Sequence, residues 1–397
     1  MNHFDLPAGF RFAATASGIK RSGKLDLALI CSDRPASVAG VFTRNRVTAA
    51  PLQVCRPRIA AGRCQAILIN SGNANACSGE QGLQVARQSS SILAQQLSIA
   101  EELVAVASTG VIGEQLPLAP FERGIPELVK ALAGDQASAV AEAIMTTDAY
   151  SKLASARIEN PDGAYHLLGL AKGAGMIHPD MATMLGFVLT DAAVAPALLD
   201  SALRRAVQNS FNSITVDGDT STNDMVLLLA NGANGAAAIQ PGTAAAEQFC
   251  RHLERVLLDL AKMIVRDGEG ATKLAEIRVT GAASDETARI AAKSVATSTL
   301  VKTAFFGEDA NWGRIIAAVG YSGIEVDQNR IDISFNQVPV TRNGLSTGSE
   351  LEARATEVLK LDEFVVQIEL HQGAGAASYY TSDLGYEYIK INADYRT

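Results

Sequence analysis

Apolar residues recur every three or four positions in three segments of the chain, which is the spacing that buries one face of an α-helix. These segments are residues 83–97, 199–207 and 249–264. The third has the longest stripe, formed by Phe249, Leu253, Val256, Leu257, Leu260 and Ile264. Pro241-Gly242-Thr243 precedes it, and a turn that ends in a hydroxyl residue is a helix start signal. We therefore predict helices in all three segments.

Other short runs are apolar or alternating and are bounded by turn residues, which is typical of strands. The predicted strands are residues 26–30, 66–69, 187–190, 225–229, 276–280, 330–335 and 364–370, with a further strand at 386–391. Helices and strands mix along the whole chain, so the predicted fold class is α/β or α+β. The clearest interruption of these helix and strand patterns is the Gly- and Pro-containing segment 172–183, near the middle of the chain.

Composition narrows the classes of protein. The chain has 397 residues, of which 48% are hydrophobic and 19% charged, which indicates a globular protein with two domains or one large one. The net charge is −8 and no basic run occurs, so neither nucleic acid nor an anionic membrane is an expected partner. The N-terminus has no signal-peptide pattern, and no apolar stretch reaches the roughly 18 residues that suggest a membrane span.

Cysteine and histidine usage argues against a disulfide framework and against a metal site. The five cysteines are an odd number without a C-x-x-C pair, which favours reduced thiols and a cytoplasmic protein. The five histidines are scattered and no H-E-x-x-H motif occurs, so no metal site is predicted.

The segment KGAGMIHPDMATML, residues 172–185, places Thr183 between a Gly-rich stretch and an apolar run. A threonine hydroxyl is a poor nucleophile unless a base takes its proton. If the Ala182–Thr183 bond breaks, Thr183 gains an α-amine with a pKa of roughly 7.7–8.0 that can act as this base. The alternative is a plain turn into a strand, with Thr183 as an ordinary β-former. This segment alone leaves both interpretations open.

Four more stretches carry polar residues that suit a site and suit ordinary turns as well. Thr109-Gly110 follows an apolar run and offers a hydroxyl and a backbone N–H, which is material for an oxyanion hole. The loop NSGNANACSG, residues 70–79, suits a polar pocket. Residues 215–224 alternate acids and hydroxyls without the spacing of a calcium loop, which favours a hydrogen-bonded network beneath a site. Glu269, between two glycines, can bind an ammonium, as Lys172 can bind a carboxylate.

Together these segments resemble the bifunctional ornithine acetyltransferases, also called glutamate N-acetyltransferases. The resemblance runs essentially end to end, and KGAGMI-x-P-x-MATML is its most specific motif. It also covers the 70–79 loop, STGVIG at 108–113, MTTD at 145–148, DGDTSTND at 217–224, DGEGATK at 267–273 and DANWGR at 309–314.

This resemblance implies a self-cleaving, layered sheet-and-helix fold of the N-terminal-nucleophile kind. Cleavage between Ala182 and Thr183 would give an α chain, 1–182, and a β chain, 183–397, with a smaller C-terminal α/β domain at roughly 280–397. The two chains would assemble as α2β2 in the cytoplasm, without a metal.

The resemblance also implies a ping-pong transfer of acetyl from N2-acetylornithine to glutamate through acetyl-Thr183, within arginine biosynthesis. Thr109 and Gly110 match the oxyanion hole of the family. The residues that match its substrate contacts are Thr146, Lys172, Thr183, Glu269, Asn392 and Thr397, with Thr146 preferred over Thr147. No cofactor is implied. Members of the family differ in accepting acetyl-CoA as a second donor, and no residue here decides this.

Two other functions compete with this interpretation. A related self-cleaving aminopeptidase or amidase would pass the acyl group to water, and acetate would then replace N-acetylglutamate as product. A binding protein that kept the fold and lost the chemistry would bind amino acids without cleavage or turnover. Retention of Thr183, Thr109, Gly110 and Lys172 together argues against the binding protein.

Overall fold

The computed structural model describes residues 4–160, 163–178 and 184–394. Up to residue 230 the elements are β1 Phe10–Thr15, β2 Leu27–Phe42, α1 Ala50–Ala60, β3 Arg63–Asn73, α2 Gly79–Leu97, β4 Val104–Val111, α3 Ala119–Ala131, α4 Ala137–Ala143, β5 Lys152–Asn160, β6 Gly163–Lys172, β7 Leu185–Thr190, α5 Pro196–Gln208, β8 Ile214–Thr215 and β9 Met225–Ala230. The remaining elements are α6 Ala244–Arg266, β10 Leu274–Ala282, α7 Asp285–Thr297, α8 Thr299–Phe306, α9 Trp312–Gly320, β11 Asp332–Phe335, β12 Val338–Arg342, β13 Leu345–Ser346, α10 Ser349–Leu359, β14 Glu363–Glu369, β15 Gly375–Ser382 and α11 Tyr386–Asp394.

Two mixed sheets organise these elements. The first has the strand order β4-β3-β2-β9-β7-β6-β5, with β1 paired to β2. The second has the order β13-β12-β11-β14-β10-β15-β8. Both contain parallel and antiparallel pairs, as in β7 with β9 and β6 with β7. The mixed α/β class predicted from the sequence is therefore confirmed.

The first sheet is covered by helices on both faces. Leu185, Phe187 and Leu189 of β7 belong to one core together with residues of α1 to α4. Val188, between them, belongs to a second core together with α5 and α6. Successive side chains of a strand point to opposite faces, so a strand that is buried on both faces must be apolar at every position. This requirement explains the continuous apolar run after residue 183.

The longest helix, α6, begins where the sequence predicts it. The Thr243 side chain caps it by accepting a hydrogen bond from the Ala246 N–H at 3.1 Å. Such a cap satisfies one of the N–H groups that a helix start leaves without an intrahelical partner. The apolar stripe of α6 packs on β5 and β6, and the helix also contacts β8, β10 and β15 of the second sheet. Its C-terminal end therefore lies between the two sheets.

The second sheet carries a separate hydrophobic core. Its members come from β10, β11, β12, β14 and β15 and from α7 to α10, between Ala275 and Tyr379. The boundary of the proposed C-terminal domain at about residue 280 stays a prediction. Within the described residues, no helix is both long enough and apolar enough to cross a membrane.

The strand predicted at 386–391 is wrong, because these residues form the helix α11. Tyr386 and Tyr388, and then Ile389 and Ile391, are two residues apart as in a strand, but a run this short does not separate the strand period from the helix period. No side chain of α11 is fully buried, and Tyr386 and Ile389 are exposed. Backbone contact and polar bonds position this helix, as described below.

Candidate active site

Six of the predicted site residues line one cavity of about 210 Å³. They are Thr109, Gly110, Thr146, Lys172, Glu269 and Asn392. The elements that supply them are β4, the loop after α4, β6, the turn after α6, and α11. Ala182, Thr183 and Thr397 lie outside the described residues. Met184 and Leu185, which follow Thr183 directly, line the same cavity.

The backbone of β4 presents Gly110 to this cavity. The strand continues through Thr109 and Gly110 to Val111, so the alternative that these two residues form an ordinary turn is wrong. Backbone groups of alternate residues point to opposite sides of a strand. Val111 O accepts from Ala74 N on the β3 side, whereas Val106 N and O both lie 3.0 Å from Cys55 Sγ on the other side. Gly110 lies an even number of residues from Val106, so its N–H, like that of Val106, faces away from β3.

Gly110 is also required for the close approach of β3 and β4. Its φ is +131°, a conformation that residues with a Cβ rarely adopt. A Cβ at this position would lie 2.4 Å from the Gly72 carbonyl carbon and 2.5 Å from Asn73 N. The strand edge at the cavity therefore depends on glycine at residue 110.

A buried cation, Lys172, lies at the end of β6. Its ammonium donates to Thr146 Oγ1 at 2.7 Å and lies 3.8 Å from Asp148 Oδ2. Burial lowers the pKa of Lys172, and the Asp148 carboxylate opposes this effect. Thr146 and Thr147 both line the cavity, and Thr146 is the one bonded to Lys172. The assignment of Thr146 as a substrate contact stays a prediction.

Asp148 is the centre of a buried ionic network. Its carboxylate accepts from Thr146 N at 2.9 Å and from Gly173 N at 2.6 Å, and it pairs with Lys152 Nζ at 2.8 Å. Lys152 also pairs with Asp267, which is the residue that caps the C-terminus of α6. Burial by itself would raise the pKa of Asp148, but Lys172 and Lys152 hold it well below its usual range. Asp148 is therefore the ionised partner of both lysines.

Glu269 is one of four acidic residues that line the cavity, with Asp217, Asp219 and Asp224. Its N–H donates to Ala174 O at 3.0 Å, and its Oε2 accepts from Asn392 Nδ2 of α11 at 2.8 Å. Gly270, with φ +70°, allows α11 to approach, because a Cβ there would lie 2.6 Å from Tyr388 N. The close packing at Gly270 thus brings Asn392 to Glu269.

The stretch at 215–224, predicted as a hydrogen-bonded network beneath a site, forms hydrogen bonds as predicted but also lines the cavity itself. Asp217 accepts from the N–H groups of Met176 and Ile177 at 2.6 and 2.8 Å, which holds the loop that follows Lys172. Burial raises the pKa of Asp224 well above its usual value. Among the residues that the structure describes, its buried Oδ2 atom has no hydrogen-bond partner. In the part of the chain that the structure describes, no cluster of three or more His, Cys, Asp or Glu side chains is placed to hold a metal ion.

Several residues at this site were not assigned from the sequence. They are Asp148, Lys152, Asp267, Asn223 and Tyr388. No sequence signal marked Lys152, because no strand was predicted there. In the structure it begins β5 and is fully buried, and a lysine in a core needs a partner. One partner, Asp148, lies only four residues before it, but the other, Asp267, lies 115 residues further along the chain and cannot be identified from spacing.

The cavity therefore combines a buried cation, a carboxylate on another element, and backbone N–H groups at a strand edge. Opposite charges on separate elements suit a small molecule that carries both a carboxylate and an ammonium. A backbone donor that faces the same space suits the stabilisation of an oxyanion. The fold and the site define an enzyme that transfers an acyl group to or from a small charged molecule.

Comparison with known proteins identifies the family. The profile of the ArgJ family matches residues 11–397. The arginine biosynthesis bifunctional protein ArgJ of Syntrophotalea carbinolica is 60% identical over 98% of this chain and 99% of its own, and that of Geobacter sulfurreducens is 54% identical over the same shares. The crystal structure of the Bacillus halodurans protein of that name matches with a TM-score of 0.51 and 47% identity, over 53% of this chain and 98% of its own.

The chain belongs to the ArgJ family of arginine biosynthesis bifunctional enzymes. The resemblance stated from the sequence and the enzyme class that it implies are thus confirmed. The roles of the individual residues stay predictions.

Proposed function

We propose that this enzyme moves the acetyl group of N2-acetylornithine to glutamate through an acetyl-Thr183 intermediate. The observation that carries the proposal is the convergence of Lys172, Glu269 and Gly110 on one cavity, directly beside Met184. Lys172 binds the α-carboxylate that both amino acids share. Glu269, held by Asn392, binds the side-chain ammonium of ornithine. Thr146, through its bond to Lys172, and Thr397 complete the contacts.

Self-cleavage between Ala182 and Thr183 generates the nucleophile. Asp217 holds the backbone at Met176 and Ile177, so the loop before the cleavage point is anchored. The matched Bacillus halodurans chain is covered almost completely by just over half of this chain. Residues 183–397 are a little over half of the chain as well, which supports two separate chains after cleavage.

The reaction then proceeds in two halves. The Thr183 hydroxyl gives its proton to its own α-amine and attacks the acetyl carbonyl carbon. Thr109 and the Gly110 N–H stabilise the resulting oxyanion. The C–N bond breaks, the α-amine of ornithine takes the proton, and acetyl-Thr183 remains. Glutamate enters, its α-amine attacks the ester carbonyl, and the proton returns to Thr183 as N-acetylglutamate forms.

By this proposal the reaction needs no bound cofactor, and the transfer assay with labelled acetyl-CoA in place of acetylornithine tests acetyl-CoA as a second donor. The α chain, 1–182, and β chain, 183–397, pair as α2β2 in the cytoplasm, with the smaller domain at roughly 280–397 inside the β chain. The separate core from Ala275 to Tyr379 supports this division. Size-exclusion chromatography with light scattering tests the assembly.

Intact mass spectrometry of the protein tests cleavage. We expect two chains that meet at Ala182/Thr183, one uncleaved chain for Thr183→Ala, and cleavage retained in Thr183→Ser, which keeps a hydroxyl. Acetylornithine labelled in its acetyl group then tests transfer. Label in N-acetylglutamate supports the proposal, and label only in acetate indicates the amidase alternative. Binding without cleavage or turnover indicates a binding protein and contradicts the proposed activity.

A further inference from the structure

On the side of β4 that faces away from β3, the Ser108 carbonyl accepts a hydrogen bond from a side chain that is distant in the chain. Asn223 Nδ2 donates to Ser108 O at 2.9 Å. The same nitrogen donates to Ala74 O, just beyond the end of β3, at 2.5 Å. Asn223 is 5% exposed, so both bonds lie away from solvent.

The orientation of this amide follows from its neighbours. Two carbonyl oxygens lie at one end of the Asn223 side chain, and a carbonyl only accepts, so that end must be the NH2 group. At the other end Thr222 Oγ1 donates to Asn223 Oδ1 at 2.6 Å. Both protons and the oxygen are therefore used, which leaves the amide one arrangement.

These two bonds bear on the strand edge at the cavity. Ser108 O belongs to the peptide that also contains the Thr109 N–H, and Gly110 is the next residue. Ala74 follows Gly72 and Asn73, which are the backbone neighbours of Gly110. Asn223 thus ties together the chain segments on both sides of Gly110. Since it follows residue 183 whereas β3 and β4 precede it, this link also joins the two chains that cleavage would produce.

We propose that Asn223 is a positioning residue that holds the Thr109–Gly110 backbone in the geometry of an oxyanion hole. The proposal rests on the acetyl-transfer function proposed above. Asn223 also lines the cavity, but the protein already uses both protons and the oxygen of its amide, so we expect it to act through the Ser108 and Ala74 carbonyls. Lys172 and Glu269, the proposed binding groups for the substrate charges, are held by other partners, so we expect substrate affinity to change little when this amide is replaced.

Asn223→Asp is the sharpest test, because it keeps the shape but replaces the NH2 group by an oxygen that faces two carbonyl oxygens. Loss of a whole oxyanion-hole donor lowers kcat by about 10²–10³-fold, so we expect a misplaced one to lower kcat by roughly 10–100-fold. The KM for acetylornithine should stay within about threefold, since KM changes when ground-state binding changes. Asn223→Ser, which keeps one donor, should recover part of kcat.

Asn231→Asp is the matched control. Asn231 is also buried, follows the other end of β9, and donates through Nδ2 to Ala8 O at 3.0 Å. It has the same kind of bond far from β4, so its replacement should leave kcat unchanged. A kcat near that of the wild type in Asn223→Asp, or a loss that appears only in KM, would overturn the proposal. So would an equal loss of kcat in Asn231→Asp.

A failure of the proposed function is distinguishable from a failure of this role. If the wild type transfers no acetyl group, the function fails, and hydrogen exchange decides the role of Asn223. Faster exchange of the 108–111 amides in Asn223→Asp than in Asn231→Asp would support a positioning role, and equal exchange would refute it. This readout also decides the matter if Asn223→Ser is the variant that folds.

Discussion

Replacing Lys152 by methionine removes the ammonium that lies between two buried carboxylates, while the side chain keeps a similar length. Lys152 Nζ is 2.8 Å from Asp148 Oδ1 and 2.5 Å from Asp267 Oδ2, and the lysine side chain is 0% exposed. Its partners are 0% and 3% exposed. The substitution therefore leaves two charges in a region from which water is excluded.

The size of the destabilisation depends on which hydrogen bonds and neighbouring charges each carboxylate retains. Asp148 keeps the N–H groups of Thr146 and Gly173 and the nearby Lys172 ammonium. Asp267 keeps the Ala149 N–H but loses the ammonium that faces it. Removing one partner of a buried pair typically costs about 3–5 kcal/mol, and we expect the free energy of unfolding to fall by this amount. Adding Asp267→Asn removes the stranded charge and should recover about 1–2 kcal/mol.

Chemical denaturation followed by circular dichroism measures these differences. Lys360→Met is the control, because Lys360 pairs with Glu357 at 2.6 Å at the surface and its loss should leave the midpoint unchanged. The reasoning would be refuted if Lys152→Met unfolded at the denaturant concentration of the wild type. It would also be refuted if the double variant were less stable than the single one.

Three further predictions concern other groups. Burial lowers the pKa of Lys302 to about 7, below the ~10.4 of an unfolded lysine, so the unfolded chain binds more protons between these values. The free energy of unfolding should therefore rise with pH between these two pKa values, and Lys302→Met should remove this rise. The same pH dependence in Lys302→Met and the wild type would contradict the prediction. Gly110→Ala places a Cβ 2.4 Å from the Gly72 carbonyl carbon and should abolish transfer in the kinetic assay, whereas activity near wild type would exclude the close approach. Glu269→Gln should raise the KM for acetylornithine by roughly 10–100-fold, because one charged hydrogen bond is lost, and should leave the KM for glutamate nearly unchanged. An equal rise in both KM values would show that Glu269 does not bind the side-chain ammonium of ornithine.

The elements that the sequence predicted well are those whose signal is local. The stripe and start signal of α6 depend on residues a few positions apart, and both were found. The apolar runs of β7 and β9 were found because burial on both faces leaves no polar position. The helix α11 was missed, because it is held by polar and backbone contacts with Glu269 and Gly270 and has no apolar stripe.

The candidate site also contains residues that local sequence signals predicted and residues that only distant contacts place there. Chain position and residue type marked Thr109, Gly110, Lys172 and Glu269, because each stands in a distinctive motif next to an element boundary. The residues that hold them were not marked. Asn223 meets Ala74 from 149 residues away, and such a pairing leaves no trace in local spacing.

The sequence by itself determined the class of fold, three of the helices, several of the strands, and the residue types that suit the proposed chemistry, since these follow from periodicity and motifs. Only the tertiary structure decided which of these residues share a cavity. It also showed that Lys152 is paired, that the Gly110 N–H faces away from β3, and that Asn223 bridges two strand ends. The reason is physical: burial makes a charge or an amide depend on partners brought to it by the fold, and those partners are distant in the chain.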